Sequence, residues 1–259
     1  MSAYQIKLRS SELYVLAGFL GYKSIIGIED DTLIKWHSEL NSKINRTIRS
    51  LEKKKIIQTT LNGVLFIDEN LKKAIELLCG AEKFGVISSN VDKNRTETTY
   101  ITSVDSNFLV LKKYKDNKYL LSLYDDMSFL DLTFASFHMT DKKINEILLY
   151  EDAQYIKELL FSFDEDGALD RARKCVKNNQ VAEDVLTIVS GKNKFLNIQM
   201  YKKQGDLYIN SFNTFLVLAG KTPVELKLDD NKVLFIDSVN VELIKNKVKN
   251  VLSSGQEVL

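Results

Sequence analysis

Two runs, residues 98–137 and 194–220, constrain the fold more than any other part of this sequence. The first, "TTYITSVDSNFLVLKKYKDNKYLLSLYDDMSFLDLTFASF", is dense in β-branched and aromatic residues and is broken by a polar tip at Lys115-Asp116-Asn117-Lys118. The second, "KFLNIQMYKKQGDLYINSFNTFLVLAG", has the same character, with its tip at Gln204-Gly205-Asp206. Such residues fit a pleated, half-buried surface and short polar tips join neighbouring strands, so each run predicts an antiparallel meander.

Helical periodicity fills most of the remainder. Ser10 and Ser11 are placed to cap a helix through Leu13, Leu16, Ala17 and Leu20 that ends at Gly21. A long amphipathic helix through Leu33, Trp36, Leu40, Ile44, Ile48 and Leu51 is expected to end near Lys54. Residues 140–161 and 166–189 read as central helices, and residues 240–252 as a closing one.

The pentapeptide Val-Leu-Phe-Ile-Asp occurs at Val64–Asp68 and again at Val233–Asp237. Asn62-Gly63 precedes the first copy as a hairpin turn, and Asp230-Asn231 precedes the second. Asp68 or Asn70 is available to cap a helix after the first copy, and Asp237 or Ser238 after the second. Each copy therefore predicts the inner strand of a hairpin that feeds a helix, apolar on both faces as a helix-covered strand requires. The hairpin-helix unit precedes the meander in the first half and follows it in the second, an order that argues against a simple tandem repeat.

With 44% of its 259 residues apolar, the chain is long enough to bury a sizeable core. Lys and Arg number 36 against 35 Asp and Glu, so the overall balance attracts neither a polyanion nor an anionic membrane. The opening "MSAYQIKLR" lacks a signal-peptide apolar run, and no stretch approaches the roughly 18 apolar residues of a span. These features predict a cytoplasmic protein without membrane insertion. Pro223 is the sole proline and no Gly/Ser-rich linker occurs, so a single α+β domain over residues 1–259 is expected.

Signals for chemistry are sparse. Cys79 and Cys175 form no CxxC and read as reduced core thiols. His37 and His138 lack a ligand partner one helical turn away, so no metal site is expected. GxSxG, HExxH, GxxxxGK[ST] and GxGxxG are all missing, which removes the local signatures of hydrolases, zinc peptidases, P-loop enzymes and dinucleotide binders. Asp164-Glu165-Asp166-Gly167 lacks the alternating ligands of a calcium loop and reads as an acidic turn before a helix. No cofactor is expected.

One segment suggests nucleic acid. "KINRTIRSLEKKK", Lys43 to Lys55, carries six basic residues and one acidic. On a helix Ile44, Ile48 and Leu51 share one face while Arg46, Arg49 and Lys53 share the other. With the hairpin that follows, the segment resembles the recognition helix and wing of a winged-helix DNA-binding regulator, in which Arg46, Arg49 and Lys53 would meet DNA. The expected wing, Thr59 to Gly63, carries no Lys or Arg, and a solvated helical face is the simpler reading.

The opening "SSELYVLAGFLGYKSIIGIED", the long helix, hairpin, meander and central helices, and the closing "FLVLAGKTPVELKLDDNKVLFIDSVNVELIKNKV" together resemble the EspG-like family of type VII secretion chaperones and its Gram-positive relatives. The likeness spans most of the chain and rests on hydrophobic patterns. It implies an α+β fold with a central antiparallel sheet flanked by helices, in two quasi-equivalent halves near residues 1–139 and 140–259. It also implies no catalysis: such chaperones bind the tip of a helical-hairpin secretion substrate and keep it soluble until export. The Lys-, Asn- and Ile-rich composition departs from mycobacterial members and points to a WXG-type or LXG-type secreted partner. Such a partner would bury an apolar helical tip on a groove or sheet face. The candidate contacts are Leu160, Phe161 and Phe163, where an aromatic helix end meets the acidic turn, with Val181 and Val185 on the next helix.

Overall fold

A computed structural model of the chain describes residues 4–28, 40–59, 65–92, 95–104, 107–115, 117–137 and 142–253. In chain order the first half comprises β1 (Tyr4–Arg9), α1 (Ser10–Phe19), α2 (Leu40–Lys53), β2 (Ile57–Thr59), β3 (Leu65–Ile67), α3 (Glu69–Gly80), β4 (Lys83–Asp92), β5 (Arg95–Val104), β6 (Asn107–Lys115), β7 (Lys118–Tyr124) and α4 (Ser128–Phe134). The second comprises β8 (Asn145–Leu149), α5 (Tyr150–Phe161), α6 (Glu165–Cys175), a 3-10 turn at Asn179–Val181, α7 (Ala182–Val189), β9 (Phe195–Gln204), β10 (Leu207–Ala219), β11 (Thr222–Leu228), β12 (Val233–Ser238) and α8 (Val241–Ser253). The boundary expected at residues 139 and 140 lies outside the described residues.

Ten strands form one antiparallel sheet in the order β1-β7-β6-β5-β4-β9-β10-β11-β12-β8, and β2 and β3 pair separately. The two halves run the same course. Each begins with an outer strand, adds helices, lays four strands from the centre to the edge so that the last pairs with the first, and ends in a helix. The hairpin-helix units fall where expected, β2-β3-α3 before β4–β7 and β11-β12-α8 after β9-β10, but the strands of the large sheet follow one order in both halves, which corrects the expectation that the halves share no order. The repeated pentapeptide misled that reading, because its first copy supplies β3 of the small sheet and its second supplies β12 of the large one. The echo is therefore not the internal symmetry, which lies in the topology.

Alternation builds the centre. Along β9, Leu196, Ile198 and Met200 are buried while Phe195, Asn197, Gln199 and Tyr201 are half-buried. The halves join where β4 pairs with β9, with Ile87 opposite Ile198 and Gly85 opposite Met200. A Cβ at Gly85 would lie 2.7 Å from the Met200 sulfur, so glycine lets Met200 fill that position.

Helices cover both faces. Leu109 and Leu111 of β6 pack with α1, α2 and α3, whereas Phe108 and Val110 point to the other face. In β10, Val217 and Ala219 pack with α5, α6 and α7, whereas Leu216 and Leu218 point the opposite way. By this alternation and the strand register, both three-helix groups lie on one face. α4 and α8 lie on the other, over the central strands, and an ion pair between Lys245 and Asp131 ties them together.

Local signals decided several helix ends. Asp68 caps α3, its carboxylate accepting from Leu71 N at 3.0 Å, and Asp164 caps α6 through Gly167 N at 2.9 Å. At α1 the expected serine cap is replaced by Glu12, whose carboxylate accepts from Arg9 N at 2.8 Å. The expected cap at Asp237 or Ser238 is also replaced: α8 starts at Val241, with Asn240 Oδ1 accepting from Glu242 N at 3.0 Å.

Three assignments change. Residues 145–149, expected to be helical, pair with β12 as β8, which buries Glu146, where it accepts backbone N–H bonds from Lys177 at 2.8 Å and Asn178 at 3.2 Å. Those same bonds accompany the break between α6 and α7, where one continuous helix was expected. Ser128–Phe134, expected within a meander, is helical, and Asp126 Oδ1 accepts from Ser128 N at 2.9 Å where it begins. Leu33, Trp36, His37, His138 and Asn62-Gly63 lie outside the described residues.

The winged-helix reading does not survive the topology. β1 pairs with β7 of the large sheet, and α2 sits with α1 and α3 on the core of the first half. Its Ile44, Ile48 and Leu51 face inward as expected, and Arg46, Arg49 and Lys53 are exposed. The segment is one layer of a larger fold, and its basic face reads as a solvated one.

Candidate functional site

Between the two three-helix groups, the middle of the sheet is only half-buried on the face they share. Phe84 and Val86 of β4, Tyr100 of β5 and Tyr201 of β9 alternate with the core positions of the opposite face. Phe84 stacks on Tyr201 with centroids 4.7 Å apart and meets Tyr208 edge-on at 4.9 Å. Tyr208 in turn donates its hydroxyl to the Ala81 carbonyl at 2.7 Å. Further along, Phe195 stacks on the exposed Phe215 at 5.5 Å.

One end of this aromatic floor opens into a cleft of about 410 Å³ lined by Ile25, Gly27, Ile28, Cys79, Phe84, Tyr100 and Tyr208. The wall at Ser24–Ile28 is held by Ile26 N donating to Leu78 O at 3.4 Å and by Tyr14 donating its hydroxyl to Ile28 O at 3.2 Å. Gly27 has φ +77°, and a Cβ there would lie 2.6 Å from the Tyr100 ring, so only glycine lets the wall rest on that ring. Burial pushes the Cys79 thiol up to about 12, which leaves it protonated and a poor nucleophile at neutral pH. Burial likewise raises Tyr208, with Cys79 adding to the effect. Among the described residues, no group of three or more His, Cys, Asp or Glu is placed to hold a metal ion. The cleft offers apolar and aromatic surface, suited to burying part of a partner.

The second surface is the turn between α5 and α6. Phe163 N donates to Leu160 O at 3.2 Å and Asp164 N to Leu159 O at 2.9 Å, the paired bonds of a Schellman helix end. The left-handed position of that motif usually holds glycine, yet here it holds Phe163 at φ +60°. Phe163 is 94% exposed and Phe161 is 75% exposed, with the Lys157 ammonium 5.9 Å from the Phe161 ring centre. Leu160 is half-buried against the core. Val181 and Val185, expected to join this surface, are core residues at 2% and 0% exposure. They correct that part of the expectation: both pack inward with Ile156 and Ala172, out of a partner's reach.

Sequence reading missed the aromatic floor. Its signal was legible in β9, where aromatic and amide side chains at Phe195, Asn197, Gln199 and Tyr201 alternate with the apolar Leu196, Ile198 and Met200, but not which face the helix groups would flank.

The molecule is an α+β protein on one helix-flanked antiparallel sheet with two quasi-equivalent halves. Among solved structures it is similar to the Mycobacterium tuberculosis type VII secretion system chaperone EspG5, determined in complex with a PE25-PPE41 dimer. The likeness covers 98% of each chain at a TM-score of 0.59 and 11% identity, and so concerns the fold. No protein-family model and no curated protein matches the chain. No described helix is long and apolar enough to cross a membrane.

Proposed function

We infer that this protein is an EspG-like, type VII secretion-associated chaperone that works in the cytoplasm without catalysis or cofactor. Its partner is a secreted helical-hairpin protein, of WXG or LXG type in a Gram-positive system, which it keeps soluble and competent for export. The observation that carries this reading is the end-to-end fold likeness to a chaperone seen with its bound dimer. The exposed pair Phe161 and Phe163, beside half-buried Leu160, gives the substrate tip an apolar contact, and the aromatic floor of the sheet gives it a second. Exposed aromatics at the centre of such contacts carry a large share of binding energy.

Tagged protein recovered from its native cytoplasm, with nuclease treatment and mass spectrometry of co-eluting chains, tests the reading. The expected result is enrichment of a small exported helical-hairpin protein, lost in the double variant Phe161→Asp, Phe163→Asp whose thermal melt is unchanged. Retention in that variant with loss in Phe215→Asp would move the contact to the sheet floor. Recovery of no exported protein by the unaltered chain would end the chaperone reading.

A further inference from the structure

The two outer strands hold equivalent places in the two halves, yet their outward edges, unpaired among the described residues, differ. Beside β1, Ser10 N donates to Asn117 O at 3.0 Å, which in an antiparallel pair makes the even-numbered residues the ones bonded to β7. Gln5, Lys7 and Arg9 therefore turn their backbone groups outward. Lysine and arginine on an outer strand oppose pairing with another chain. At β8, Tyr150 N donates to Lys232 O at 2.9 Å and Ser238 N to Ile144 O at 2.7 Å, so the even-numbered residues again face inward. The backbone groups turned outward there belong to Asn145, Ile147 and Leu149.

Nothing on β8 blunts that edge. The strand contains no Lys, Arg or Pro, and Ile147 and Leu149 are 42% and 55% exposed. The register sets them beside Phe235 and Val233 of β12 on one face, which makes an apolar strip along the margin of the sheet. Charge then selects the occupant. Exposed Lys143 precedes the strand and exposed Glu151 follows it. An antiparallel pair of β8 strands centred on Ile147 sets Asn145 against Leu149 of the second copy and brings Lys143 towards the second copy's Glu151. A parallel pair would set like charges together.

We propose that β8 is a self-association edge, at which two copies of this chain pair antiparallel about Ile147, continue the sheet across a two-fold axis and join their apolar strips. The contact is one short strand wide, so the dimer is of moderate strength, with a Kd of about 10 μM. This proposal is independent of the chaperone reading.

Sedimentation of the purified full chain from about 1 to about 300 μM spans that range. The expected mass rises from 29.6 kDa towards twice that value as concentration increases. Ile147→Lys is expected to weaken the dimer by about tenfold or more, since a lysine on an outer strand opposes pairing. Lys143→Glu and Glu151→Lys are each expected to weaken it, and the double variant to recover it, because the charge pair is restored with its signs exchanged. That set decides the matter even if Ile147→Lys disturbs folding. A mass of 29.6 kDa at every concentration overturns the proposal, as does a dimer in which the charge reversals have no effect or are not mutually rescued.

Discussion

A phenylalanine at φ +60° with 94% of its surface in solvent gains little from packing, while its Cβ opposes the left-handed backbone. Phe163→Gly is therefore expected to raise stability by about 1 kcal/mol and the melting temperature by roughly 2–4 °C. Calorimetry checks the gain, and under the chaperone reading the same variant captures less partner. Glu12 is the converse case, a carboxylate that is 1% exposed. Burial alone would raise its pKa, but the Lys54 ammonium at 2.6 and 2.7 Å, Arg9 N and the Ser50 hydroxyl outweigh burial and hold it below its ordinary value. A folded pKa below the unfolded one adds stability that is present above the unfolded value, near 4.5, and lost as pH falls through the folded value. Glu12→Gln is expected to lose about 2 kcal/mol at neutral pH and to flatten the acid side of the stability profile below pH 4.5, measured by urea unfolding.

At the scale of elements, β8 shows how long-range pairing overrides local pattern. "NEILLYEDAQYIKELLF" carries apolar residues at spacings a helix accepts, so the helical reading extended back through Asn145. β12 lacked a partner on its outer side, and pairing with it put Glu146 inside. Glu146→Ala would leave Lys177 N and Asn178 N without their acceptor and is expected to cost about 2–3 kcal/mol. Glu146→Gln, which keeps one acceptor, is expected to lose less, and denaturant midpoints compare the two. The helix start after Asp68 and the acidic turn at Asp164 were legible because such signals need only residues within one turn, whereas the Asp164 cap itself came from the structure. Phe161 and Phe163, expected as partner contacts, are exposed beside the acidic turn, and that exposure came from the structure. Val181 and Val185 misled because a helix shows which side chains share a face, not which face turns inward.

Over the whole molecule, the β4–β9 ladder makes one sheet of two similar halves. Residues 1–259 are therefore expected to unfold as a single cooperative unit, with equal calorimetric and van't Hoff enthalpies. Two separated transitions would refute that expectation. Ile198, fully buried at the seam, tests the coupling: Ile198→Ala is expected to lose about 2–5 kcal/mol and to lower the melting of both halves together.

The sequence by itself determined the strand-forming runs, their polar tips near Asn117 and Gly205, the amphipathic face of α2, a cap at Asp68 or Asn70 and the acidic turn ahead of α6. Each depends on steric and hydrogen-bonding preferences within a few neighbouring residues. Only the tertiary structure decided that the halves share one course, that the two Val-Leu-Phe-Ile-Asp copies are not equivalent, that residues 145–149 form an outer strand, and that a half-buried aromatic floor lies between two helix groups. Those outcomes depend on pairing and burial between segments far apart in the chain, where the partner's identity, and not the local preference, sets the free energy.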